Sequence, residues 1–155
     1  MSLICKIADE LYVPAEMLED ALSKSRILVR HISLHKKDGA RRKVYQPSKK
    51  LKLIQYWLIN NVFQHLIVHE SATAYLSGIS IKDNAKKHQK NKYLLKLDFK
   101  NFFPSIKYSD FKPIITEWHK RENMIYAMKE LLDIVRKSCF YKYDKLPIGY
   151  RRLSR

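Results

Sequence analysis

Between Leu53 and Ile79 the chain carries no lysine or arginine, although 31 of its 155 residues are one or the other. A stretch that excludes the commonest cations belongs largely inside, so the flanking segments must carry the charged surface. Residues 24–52 hold eleven Lys or Arg and one Asp, a local charge of +10, and residues 82–100 hold seven Lys and two Asp. The first 23 residues are acidic by contrast, at −4. The formal total of +16 is therefore segregated and not spread as a solubility coat. Two basic blocks interleaved with aromatic and β-branched residues point to nucleic acid, with a solvated face as the alternative for any one lysine run.

A hydrophobic fraction of 46% and an aromatic fraction of 12% exclude a disordered basic tail. No apolar run approaches the roughly 18–20 residues of a membrane helix, and no signal-peptide pattern opens the chain. Cys5 and Cys139 lack the spacing of a zinc site and suit a reducing, cytoplasmic compartment.

Pro14 followed by Met17, Leu18, Ala21 and Leu22 predicts a helix over 14–24. Residues 27–46 read as a β-hairpin around Asp38-Gly39, with Pro47 ending the return strand. Ser48 is placed to N-cap a helix over 49–67, in which Leu51, Ile54, Leu58, Val62 and Leu66 recur at helical spacing. Ser80 with Asp83 opens a short helix through Lys90. Tyr93–Phe99 reads as a buried strand, broken by Pro104. Helices are expected over 109–120 and 122–138, the second placing Ile125, Met128, Leu131, Leu132 and Val135 on one face. A strand or turn follows over 141–149. Together these make one α+β unit.

Asp98 is the residue that stability explains least. A carboxylate ending an apolar strand costs several kcal/mol unless something positive meets it. A divalent cation is one solution; a strand cap or a pairing with a nearby lysine is the other.

The segment Leu94-Leu95-Lys96-Leu97-Asp98-Phe99-Lys100-Asn101-Phe102-Phe103-Pro104-Ser105-Ile106 resembles the first catalytic motif of retron-type bacterial reverse transcriptases. Lys36-Lys37-Asp38-Gly39-Ala40-Arg41-Arg42-Lys43-Val44-Tyr45-Gln46-Pro47-Ser48 resembles the fingers hairpin of that family. Leu51-Lys52-Leu53-Ile54-Gln55 matches its LK-x-x-Q helix, and Ser80 through Asn84-Ala85-Lys86-Lys87-His88 its S-x-x-x-NA-x-x-H segment.

The resemblance implies the fingers and partial palm of a right-hand RNA-directed DNA polymerase, helix-rich with an incomplete antiparallel palm sheet. The motifs cover about 30–149; an N-terminal helical segment is expected over 1–26, fingers over 27–92 and partial palm over 93–149. Asp98, with the backbone carbonyl of Phe99, would be a ligand of the two Mg²⁺ ions of the intact family. Phe103 matches the position under the incoming sugar or is a core phenylalanine, whereas Phe102 is read as core. Lys36, Lys37 and Arg42 match cations that hold a nucleotide triphosphate, and with Arg41 and Lys43 they equally suit phosphate-backbone contact. Asn84 and His88 match family positions that serve either structure or template contact. The implied partners are an RNA template with its DNA/RNA duplex, a structured non-coding RNA, and a C-terminal half supplied in trans. The implied setting is the bacterial cytoplasm, often in anti-phage defence.

The pattern departs from the family in two places. Asn101 stands where an acid is usual. Leu146-Pro147-Ile148-Gly149 begins the motif that contacts template and primer, but a divergent basic tail, residues 150–155, follows Gly149. No Asp-Asp pair occurs in these residues. The expectation is a truncated polymerase, inactive alone, from an interrupted or incomplete frame or from a split enzyme. The alternatives are a non-catalytic RNA-binding module or half of a split group II intron-like enzyme. An unpaired strand edge and an exposed apolar face are expected with it.

Overall fold

The computed structural model describes residues 2–25, 28–35, 39, 41–74, 78–142 and 144–147, without the side chains of His31 and Arg42. Two helices open the chain. In α1, Leu3–Leu11, the Ser2 hydroxyl accepts from the Cys5 N–H at 3.2 Å, and Tyr12 in the left-handed region (φ 55°) closes the helix. Leu3, Ile4, Ile7 and Ala8 form its buried stripe. Helix α2, Ala15–Ser23, starts after Pro14 as expected and buries Leu18, Ala21 and Leu22.

The hairpin follows the predicted plan. Strand β1, Val29–His35, pairs antiparallel with β2, Arg41–Pro47, with Val29 opposite Pro47 and His35 opposite Arg41. Asp38 of the expected turn lies outside the described residues; Gly39 has φ +80°, the backbone geometry such turns require. The Ser48 N–H donates to the Leu28 carbonyl at 2.8 Å, closing the base of the hairpin. Its hydroxyl accepts from the Leu51 N–H at 3.3 Å and so starts α3, Lys49–Asn61.

Helix α3 ends sooner than its periodicity predicts. Val62 leaves helical geometry (φ −127°, ψ −62°) and a single 3₁₀ turn, Phe63–His65, follows. That break turns Phe63 into the core, edge-on to Phe111 at 5.5 Å. Helix α4, Ile81–His88, carries the expected capping box between Ser80 and Asp83.

The strand predicted over 93–99 does not form. Every residue from 91 to 103 is exposed, and Tyr93, Leu94 and Leu95 are each at least 74% exposed. A strand needs a neighbour for its N–H and C=O groups. Among the described residues the sheet is two-stranded, β1 with β2, and no further strand lies alongside. The run ends at Asn101, left-handed at φ 58°, and enters the single turn α5, Phe102–Ser105. Pro104 sits inside that turn, where its missing N–H costs no helical bond.

Helix α6 spans Tyr108–Arg121 and α7 Met128–Cys139. The second begins six residues later than predicted because residues 122–127 wrap around His119. Its Nε2 donates to the Tyr126 carbonyl at 2.7 Å, and Asn123 turns through φ 47°. Ile125 is consequently fully exposed and not on the α7 face, which buries Leu131, Ile134, Val135, Ser138 and Cys139. The expected strand or turn after α7 is a turn. Tyr141 N–H donates to Lys145 O at 2.8 Å, and Leu146 N–H to Ile106 O at 3.0 Å, fastening it beside the end of α5. Gly149 and the tail 150–155 lie outside the described residues.

One core joins α1, α2, α3, α6 and α7 through Leu3, Ile7, Leu18, Leu58, Ile115 and Leu131, all fully buried. Polar bonds cross it at defined points. Gln55 Nε2 of α3 donates to the Ser138 carbonyl of α7 at 2.6 Å, and Trp57 Nε1 donates to Glu10 at 2.6 Å. No helix among the described residues is long and apolar enough to cross a membrane.

Candidate active site

Side chains alternate along a strand, so Arg41, Lys43 and Tyr45 share one face of β2. That face forms one wall of an open cleft of about 810 Å³. The opposite wall is the run Leu97–Pro104, which contains Asp98, Phe99, Lys100, Asn101, Phe102 and Phe103. The hairpin and residues 97–104, distant in sequence, therefore face each other.

Local geometry holds the second wall in shape without a sheet. Asn101 supplies the left-handed turn that Asn tolerates better than most residues. The Ser105 hydroxyl donates to the Phe102 carbonyl at 2.6 Å. The rings of Phe99, Phe102 and Phe103 form a chain, with centroids 6.5 Å and then 5.5 Å apart. The lining has three cations, Arg41, Lys43 and Lys100, against the one carboxylate of Asp98. A polyanion is favoured there by charge, and planar bases by the rings.

Asp98 and Phe99 thus line the cleft, with Arg41 and Lys43 across from them. Phe103 lines the cleft and is 43% exposed, which removes the core reading for it. The expectation that Phe102 is core is overturned. It is 52% exposed, because α5 turns its ring toward the cleft and, among the described residues, no strand forms beneath it. Asn84 and His88 are exposed on α4 and do not line the cleft. Lys36, Lys37 and Gly149 lie outside the described residues, as does the Arg42 side chain.

Sequence reasoning missed Tyr45, Lys100 and Asn101 as cleft residues. The strand alternation of Tyr45 with Lys43 and Arg41 was the available signal for the first. No group of three His, Cys, Asp or Glu able to hold a metal ion forms among the described residues. Asp98 alone falls short of the donor set for a Mg²⁺ pair.

No family model matches the chain. It is 48% identical over 118 residues to the retron Ec73 reverse transcriptase of Escherichia coli, covering 74% of this chain and 37% of that relative. It is 43% identical over 89 residues to the retron Ec83 reverse transcriptase of Escherichia coli, covering 56% of this chain and 28% of the relative. With the retron Mx162 reverse transcriptase of Myxococcus xanthus it shares 36% identity over 90 residues, 58% of this chain and 19% of that one. The matched region spans at most 37% of the length of these three relatives.

Proposed function

We propose, for a chain that belongs to the retron reverse transcriptase family, that it contributes the fingers and the first palm carboxylate of an RNA-directed DNA polymerase. The observation that carries this reading is the cleft, in which Arg41 and Lys43 of the hairpin face Asp98 and Phe103. In this reading Arg41 and Lys43 neutralise phosphates, as Arg42, Lys36 and Lys37 do along the same hairpin. Phe103 is the wall beneath the sugar, and Asn84, His88 and Gly149 contact template or primer. Asp98 and the Phe99 carbonyl would supply two oxygen ligands to a Mg²⁺ ion, whose chemistry when bound would be to activate a 3′-hydroxyl and neutralise pyrophosphate. Among the described residues no second carboxylate lines the cleft with Asp98. The 155-residue polypeptide alone is proposed to bind RNA without extending a primer. The other reading, a non-catalytic RNA-binding module, draws on the same basic cleft and its single acid.

The test is primer extension on an RNA template with Mg²⁺ and deoxynucleotides. The polypeptide alone should give no product. Fused after Gly149 to the C-terminal portion of an intact retron reverse transcriptase, it should extend, and Asp98→Ala should abolish extension. Phe103→Ala in the fusion should keep DNA synthesis and raise the ratio of ribo- to deoxynucleotide incorporation. Extension by a folded Asp98→Ala fusion would overturn the assignment of the cleft. Product from the polypeptide alone, lost on Asp98→Ala, would overturn the proposed inactivity.

A further inference from the structure

Tyr45 is an aromatic member of the cleft that the family reading leaves without a role. It is half-buried, and its ring packs on Tyr141 with centroids 4.6 Å apart and planes tilted by 43°. Tyr141 is itself held by the turn after α7, through its N–H to Lys145 O at 2.8 Å, and the Lys142 ammonium lies 5.7 Å from its ring centroid. The hairpin wall is thereby braced by the turn that follows α7. On the same face of β2, two and four residues back, stand Lys43 and Arg41. Same-face positions of a strand repeat every ~6.7 Å. The wall therefore offers one aromatic platform followed by two evenly spaced cations.

We propose that Tyr45, braced by Tyr141, is a stacking platform for a base of single-stranded RNA entering the cleft, with Lys43 and Arg41 on the adjoining phosphates. The proposal rests on the reading of the cleft as a nucleic-acid site and adds to it a residue that recognises the base. Every base has a π-face, so such a platform is tolerant of sequence, while the cations supply affinity that falls with salt. Bracing matters because a ring already fixed loses little freedom on binding. The two contributions are separable: removing a cation flattens the salt slope, and removing the ring weakens binding at every salt concentration without changing the slope.

The experiment uses the full chain and two labelled oligonucleotides of equal length and charge, an oligoadenylate and its abasic ribose-phosphate counterpart. Each is titrated across a salt series. The unmodified chain should prefer the base-bearing strand. Tyr45→Leu, which keeps apolar bulk against Tyr141 but no π-face, should weaken oligoadenylate binding about 5- to 140-fold and leave the slope unchanged. Abasic binding should not change, and Tyr45→Phe should behave as the unmodified chain. Arg41→Ala with Lys43→Ala should weaken both strands together and flatten the slope. A base preference that survives Tyr45→Leu overturns the platform while leaving the cleft a phosphate-binding site. Absence of salt-dependent binding in the unmodified chain overturns the nucleic-acid reading itself.

Discussion

Burial pushes the Cys139 thiol up to about 12, against a smaller opposing effect from its hydrogen bond with Ser138. An unfolded thiol ionises near 8.5. Between those values the folded chain keeps a proton that the unfolded chain releases. The stability contributed by this group is therefore whole below about pH 8.5 and is lost as pH rises toward 12. Within that window the loss approaches about 1.4 kcal/mol per pH unit. Tyr126 acts in the same direction at higher pH: burial, with the nearby charge of Glu10, pushes its phenol up to about 12. Thermal melts should show stability falling across about pH 9 to 10, with a shallower slope for Cys139→Ala over that interval. Equal slopes would remove the thiol as the cause. The sequence assigned Cys139 a compartment and nothing more, since its burial depends on which face α7 turns to the core.

Local signals located the elements that are closed by local chemistry. Ser48, the Ser80–Asp83 pair and Gly39 each act within a few residues, and the starts of α3 and α4 and the hairpin stand where those residues put them. The failures lie where a distant partner decides. Tyr93–Phe99 has the composition of a strand without a neighbour to pair with, and α7 starts late because His119 captures the Tyr126 carbonyl. The site divides similarly. Asp98, Phe103, Arg41 and Lys43 were legible from motif and charge, whereas Tyr45 resembles any strand tyrosine until the hairpin is seen folded toward residues 97–104. Helix α4 offers a test of purely local stabilisation, because none of its residues is buried. Asp83 begins it and Lys86, Lys87 and His88 end it, an arrangement that suits the helix dipole. Hydrogen bonds from the hydroxyl and N–H of Ser80 hold the Asp83 carboxyl below its ordinary range. Ser80→Ala should cost about 1 kcal/mol locally, seen as roughly fivefold weaker hydrogen-exchange protection over 81–88. The global melting temperature should stay put; a clear drop would mean that α4 supports the core.

The molecule as a whole is a five-helix core with an exposed basic and apolar run, 85–103, between α3 and α6. Both flanks of that run are built into the same core, since α1, α2 and α3 pack with α6 and α7. Limited trypsin treatment should therefore cut first after Lys90, Lys92, Lys96 or Lys100. The two pieces should still elute together from a sizing column under native conditions. Early cleavage within α7, or separation of the pieces, would show that the core is not shared in this way. The same connectivity gives Gln55 a reach beyond its own surroundings. Hydrocarbon stripes are nearly indifferent to registration, and two greasy helices can slide by a fraction of a turn at little expense. An amide in a dry interior has no such latitude, because its donor meets the Ser138 carbonyl at one setting only. Since α3 leaves directly from the base of the hairpin, the interior bond acts as an index pin for an arm. A substitution at Gln55 should therefore loosen the setting of α3 against α7, and with it the aim of β2, while leaving every residue of the wall in place.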